Sequence, residues 1–361
     1  MLDLTVSNPT AAGIEYPVDW IAAALGSRES CRYEPHPQGL PRARRAVGDW
    51  YAARGASVPP ERVMLTASTS ESYAFLFKLL CDPGDNLLVP VPSYPLFEHL
   101  ASMESVEARP YALAYHGRWA IEMEALEASV DSRTRAVILV HPNNPTGSFV
   151  RQSELDALTA IARERGLALI SDEVFNDYAM TADRARRFTL CGGGEALTFA
   201  LGGLSKASGL PQLKLGWIVA SGPDGVVDAA WERLELVADT YLSVGAPVQH
   251  ALAALLGAEN PVRERIASRV AANFRKLGPL VAAHGQCEAL PVEGGWTAVL
   301  RLPRTRTDED RVLELLREEG VLVHPGYFFD FSAEGFVVVS LLPPPQVFEE
   351  GVSRLLARAE R

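Results

Sequence analysis

The feature that most restricts the fold is an alternation in the middle of the chain. Short apolar, β-branched runs of strand length at 86–90, 136–141, 167–171, 197–201 and 216–220 are separated by longer amphipathic stretches such as 153–163. Apolar runs of this kind belong to strands buried on both faces, and amphipathic spacers between them supply the cover. The expected class is α/β, a mostly parallel sheet covered by helices on both faces. Ligands of such sheets collect beyond the carboxyl ends of the strands. Asn144 follows one of these runs, Asp172 ends the next and Lys206 follows a third.

After about residue 260 the texture changes. A charged amphipathic helix is expected over 261–284, then strands around 296–302 and 336–341 with a helix over 308–319 between them. These predict a smaller α+β domain of residues 1–30 and 259–361 beside a large domain of 31–258. A chain of 361 residues with 48% hydrophobic content can fill two cores. Its net charge of −11, with both signs interspersed, gives no footprint for nucleic acid or an anionic membrane. A small-molecule partner is favoured. No apolar stretch approaches the roughly 18 residues that span a bilayer, and no basic segment leads into an apolar run at Met1, so a cytoplasmic location is expected. Cys31, Cys81, Cys191 and Cys287 match neither metal-ligand nor CxxC spacing. They read as core thiols, with no disulfide and no metal site.

Four segments carry chemistry. They are Thr66-Ala67-Ser68-Thr69-Ser70-Glu71, His141-Pro142-Asn143-Asn144-Pro145-Thr146-Gly147, Ser171-Asp172-Glu173-Val174-Phe175 and Leu204-Ser205-Lys206-Ala207-Ser208-Gly209-Leu210-Pro211. In this order and spacing, with Tyr33, Asp82-Pro83-Gly84-Asp85 and Pro92-Ser93-Tyr94-Pro95 around them, the chain resembles the fold type I pyridoxal-phosphate enzymes of the class I/II aminotransferase family over nearly its whole length.

The resemblance implies pyridoxal 5'-phosphate as cofactor, held as a Schiff base on Lys206, which also moves the α-proton. Taken alone, a lysine after a strand is most often a solvated surface residue. Asp172 is implied to keep the pyridine nitrogen protonated, although an aspartate at a strand end is often only a cap. Alternation points Glu173 to the other face. Ser68, Thr69 and Ser70 open an expected helix over 71–80 and are implied to cradle the phosphate, using the same free amides as a plain N-cap. Lys214 stands where the family usually has a bidentate arginine, and Gly203 where a hydroxyl residue is common, with Ser205 as a partial substitute. Tyr94 is implied to stack on the cofactor ring and Asn144 to donate to its oxygen, against the plainer readings of a core aromatic and a turn residue. Tyr33 is implied to reach a neighbouring subunit's phosphate, which would make a homodimer with a shared active site.

Two departures stand out. Phe175 replaces a tyrosine, which removes a donor to the ring oxygen and should raise the imine pKa. The late stretch 335–341 carries no cation where amino-acid aminotransferases usually clamp the substrate carboxylate. Arg301 is one replacement, although a solvated strand residue is its plainer reading. Ser7, Trp296 and Tyr327 complete the candidate substrate residues, the last two on loops 294–296 and 326–329.

An aminotransferase acting on an amino acid and a 2-oxo acid is the leading expectation. A lyase, decarboxylase or cyclase on the same cofactor is the rival, since all begin from the same electron sink. A cofactor-sensing regulator would need a DNA-binding module that this sequence lacks. A nucleotide-binding fold is disfavoured because the run Gly192-Gly193-Gly194 precedes a strand and reads as a loop.

Overall fold

The computed structural model describes residues 1–183, 186–192 and 194–360, so Gly193 of the glycine run lies outside the described residues. Strands in chain order are β1 (Leu2–Asp3), β2 (Val63–Thr66), β3 (Asn86–Val91), β4 (Glu107–Tyr115), β5 (Trp119–Ile121), β6 (Thr134–Val140) and β7 (Ala168–Asp172). There follow β8 (Thr198–Gly203), β9 (Gly216–Ser221), β10 (Glu288–Ala289), β11 (Thr297–Arg301), β12 (Val321–Leu322), β13 (His324–Pro325) and β14 (Phe336–Ser340).

Eight strands form one sheet in the order β2-β9-β8-β7-β6-β3-β4-β5. From β8 to β4 the neighbours are parallel, whereas β9 runs antiparallel to both β8 and β2, and β5 runs antiparallel to β4. Successive side chains point to opposite faces, and the core divides accordingly. Ala136, Ile138, Ile170, Phe199 and Leu201 pack against the helices Thr69–Leu80 and Asp224–Tyr241. Val137, Leu139 and Leu169 pack against the helix Gln152–Arg165 on the other side. On that side, too, Ala200, Trp217 and Val219 pack against the helices Pro41–Ala52 and Ala246–Leu256. Both faces are covered, as the apolar runs require.

A four-stranded antiparallel sheet, β10-β11-β14-β13, forms the smaller layer, and a parallel pair joins β1 to β12. Its core draws Leu4, Ala12 and Ile14 together with Ile266 and Val270 of the helix Pro261–Ala282 and with Phe348 and Leu355 of the helix Pro345–Ala359. The helix Val18–Leu25 instead sets Trp20, Ile21 and Leu25 against the core that covers the large sheet.

β2, β4 and β5 carry no clear sequence signal. β4 contains Pro110 and is half-exposed. β5 pairs only with Leu113–Tyr115, so Pro110 sits on an edge, where a missing N–H costs little. Expected core thiols are found only in part. Cys191 is buried, but Cys81 and Cys287 are half-buried, and Cys31 is exposed because it ends a surface turn, Arg28–Cys31. Among the described residues no helix is long and apolar enough to cross a membrane.

Candidate active site

A cavity of about 350 Å³ opens beyond the carboxyl ends of β6, β7 and β8, and Thr297 and Ser340 of the small sheet also line it. The parallel register carries the chain to the same level each time. Asp172 is the last residue of β7, and Lys206 sits on the four-residue helix Leu204–Ala207 directly after β8. Both line the cavity, with Thr69, Tyr94, Asn144 and Phe175.

Burial raises the Asp172 carboxyl from an ordinary 3.8 to about 6, against hydrogen bonds from the Val174 amide and the Tyr73 hydroxyl and the positive charge of Lys206. Those donors lie at 3.2 and 3.0 Å. Among the described residues no cation lies within salt-bridge distance, so the carboxylate is incompletely compensated. Burial lowers Lys206 from 10.5 to about 8, with Asp172 opposing the shift. Its ammonium lies 4.8 Å from the Trp296 ring centroid and 5.6 Å from that of Phe175. An amine so placed is easily made neutral and nucleophilic. The Tyr178 hydroxyl donates to the Lys206 carbonyl at 2.7 Å and holds the short helix in place.

Ser68 caps the helix Thr69–Leu80. Its hydroxyl accepts the Glu71 amide at 3.2 Å, while the Glu71 carboxylate accepts the Ala67 amide at 2.6 Å and the Ser243 hydroxyl at 2.7 Å. The first amides of the helix, Thr69 and Ser70, then have no protein acceptor among the described residues. Gly203 and Gly216 face each other across β8 and β9. A Cβ on Gly216 would lie 3.0 Å from the Ser68 carbonyl carbon, and one on Gly203 would lie 3.2 Å from the Leu215 oxygen. The facing strand leaves little room for a side chain at Gly203, and the helix start does the same at Gly216. Asn144 is carried by a loop knit by Asn143, which donates to the Pro92 carbonyl at 3.0 Å and to the Thr146 hydroxyl at 2.9 Å. Glu173 turns away from the cavity, accepts from Ser171 and the Leu190 amide, and is raised by burial to about 8.

The structure does not bring every expected residue to the cavity. Ser68, Ser70 and Ser205 flank it without lining it, and Lys214 is exposed in a left-handed conformation with φ 49°. Ser7 and Trp296 line the cavity, whereas Tyr327 lies outside it and its neighbours Phe328 and Phe329 line it instead. Tyr33 is 82% exposed and borders a separate groove with Arg32, His36 and Leu242. Arg301 is outside the cavity and paired with Glu288. Its strand alternation matches that of Thr297, so it has the right face but lies four residues, roughly 13 Å, further along the strand. Sequence reasoning missed Tyr73, Thr5 and His324. Tyr73 carried a signal, since it follows Thr69 by four residues and so shares its helix face.

The model for aminotransferase class I and II matches residues 1–355. A glutamate-pyruvate aminotransferase of Haemophilus influenzae is 27% identical over 365 residues, which cover 98% of this chain and 89% of that one. An alanine aminotransferase of Mycobacterium tuberculosis is 27% identical over 372 residues, covering 98% and 84%. The crystal structure of an Escherichia coli aminotransferase superposes with a TM-score of 0.86 at 26% identity, covering 99% of this chain and 90% of the other. An alanine aminotransferase of Pyrococcus furiosus shares the fold, with a TM-score of 0.89 over 99% and 92% of the two chains at 23% identity. The chain therefore belongs to the class I and II aminotransferase family. It is a fold type I transaminase, and the lyase, decarboxylase or cyclase alternative is not favoured.

Proposed function

We propose that this chain moves an amino group between an amino acid and a 2-oxo acid with pyridoxal 5'-phosphate bound on Lys206. The observation that supports this is the pairing, in one cavity, of a lysine lowered to about 8 with a buried carboxylate that lacks a cationic partner among the described residues. The residues fit the cofactor. Asp172 would take a protonated ring nitrogen, the Thr69 and Ser70 amides would take the phosphate with Ser68 and Ser205 flanking them, and Tyr94, Asn144 and Phe175 would border the ring. When bound, the cofactor supplies an aldehyde that condenses with amines and a ring that accepts the electron pair released at the substrate carbon. Lys206 takes and returns the proton at that carbon. Asp172 holds its charge in a dry site, where it acts more strongly than it would in water.

The exposed Tyr33 fits a homodimer in which this side chain completes the neighbour's phosphate site. Alanine and glutamate are the first donors to try, because relatives carry those substrates in their names. A cytoplasmic location accords with the free cysteines. Attachment is tested by reducing the holoenzyme with borohydride and mapping the modified peptide. The chain has lysines only at 78, 206, 214 and 276, and the label is expected on Lys206. A label on any other lysine contradicts the assignment.

A further inference from the structure

An amino acid and a 2-oxo acid both carry a carboxylate beside the reacting carbon, and a charge taken into a closed cavity needs a donor to meet it. No guanidinium lines this cavity among the described residues, and the groups able to carry positive charge are Lys206, which reacts, and His324. Strand β14 reads Phe-Val-Val-Val-Ser and offers no cation. The register of the small sheet places one beside it. His324 on β13 is directly opposite Val338, while Ser340 is directly opposite Thr297. Opposed residues share a face, as do residues two apart, so His324, Ser340 and Thr297 form a polar row on one face, and all three line the cavity.

The imidazole is held by its surroundings. It stacks on Phe328 with centroids 5.1 Å apart at 12°, and meets Phe329 edge-on at 5.6 Å. Burial, the largest influence, lowers its pKa below the ordinary value, against Asp3 on β1 and the Thr5 backbone, which raise it. Phe328, Phe329 and Val338 on its other sides carry no charge, and Lys206 and Asp172 belong to the same cavity.

We propose that His324 binds the substrate carboxylate, so that substrate recognition in this aminotransferase rests on an imidazole of β13 with the polar row beside it. The inference deepens the function proposed above and depends on it for the identity of the substrate. Burial disfavours the charged ring. An arriving carboxylate supplies the counter-charge that favours the imidazolium, so carboxylate affinity should weaken as pH rises.

The test measures binding of a simple unreactive carboxylate, propionate, to the dimeric holoenzyme by calorimetry, together with kcat and KM for the amino acid that turns over best. His324→Gln should weaken propionate and raise KM by roughly 10- to 100-fold, the range of a hydrogen bond to a charged group, with kcat changed far less. His324→Arg should keep the affinity and flatten its decline from mildly acid to mildly basic pH. Unchanged propionate affinity in His324→Gln overturns the proposal. So does an equal loss in the Gln and Arg variants, which would mark a structural role. A wild-type protein that binds propionate through His324 but transfers no amino group would refute the proposed function and leave the carboxylate site standing.

Discussion

The wall of the cavity built from the large sheet and the wall built from the small sheet are made differently. The first places Asp172 and Lys206 at the ends of adjacent parallel strands, each with its pKa displaced by burial. The second presents a polar row, Thr297, Ser340 and His324, with Trp296 and Phe329 around it. The groups proposed to react therefore sit on a buried parallel sheet, whose register is fixed by apolar residues on both faces. The groups proposed to meet the rest of the substrate sit on a smaller sheet that can change its side chains without disturbing that register. On the proposed roles, chemistry rests on the first wall and substrate choice on the second.

Substitutions on the reactive wall should have the largest effects. Lys206→Ala should reduce turnover by about 10⁴-fold or to background, at or beyond the upper range for loss of a general acid or base, with the fold intact by circular dichroism. Retained turnover in steady-state assays would break the comparison at its strongest point.

Asp172→Asn should lower kcat roughly 10²- to 10⁴-fold and yet stabilise the cofactor-free protein. The folded chain holds the Asp172 proton more tightly than the unfolded chain does, so stability is lost as pH rises from about 4 and the loss is complete above about 6. At neutral pH the substitution should recover up to about 3 kcal/mol in the cofactor-free protein, read by urea denaturation at several pH values. A less stable Asn variant at neutral pH would mean that Asp172 is compensated after all.

A smaller effect is expected at the helix start. Ser68→Ala should cost about 1 kcal/mol of stability and weaken cofactor retention on dialysis. The smallest is expected of Arg301, which lies on the small sheet beyond the cavity and already pairs with Glu288. Arg301→Ala should leave kcat/KM within about 2-fold, the scale of an exposed ion pair. A large rise in KM would move the recognition site along the strand and away from His324.

The reactive wall was legible in the sequence because its segments are local and together resemble one family, although each is weak alone. An apolar run ends at Asp172, another leads into Lys206, and a serine cluster opens a helix. The recognition wall was not, because it depends on register. His324 meets Val338 and Thr297 meets Ser340 only through pairing between distant segments, and no periodicity within either segment announces it. Arg301 shows the same gap, since alternation gives its face but only the paired sheet shows that the cavity ends short of it. The helix Val18–Leu25 adds a tertiary example. Its apolar residues are plain in the sequence, but which of two cores they join is decided by packing.

The most direct test of the account is a half-reaction. The purified holoenzyme would be mixed with alanine or glutamate alone, and its visible spectrum followed before and after a 2-oxo acid is added. The account predicts loss of the bound-aldehyde absorbance with release of the matching 2-oxo acid, and its return when a second 2-oxo acid accepts the amino group. Release of ammonia or carbon dioxide, with no recovery on adding the acceptor, would contradict it.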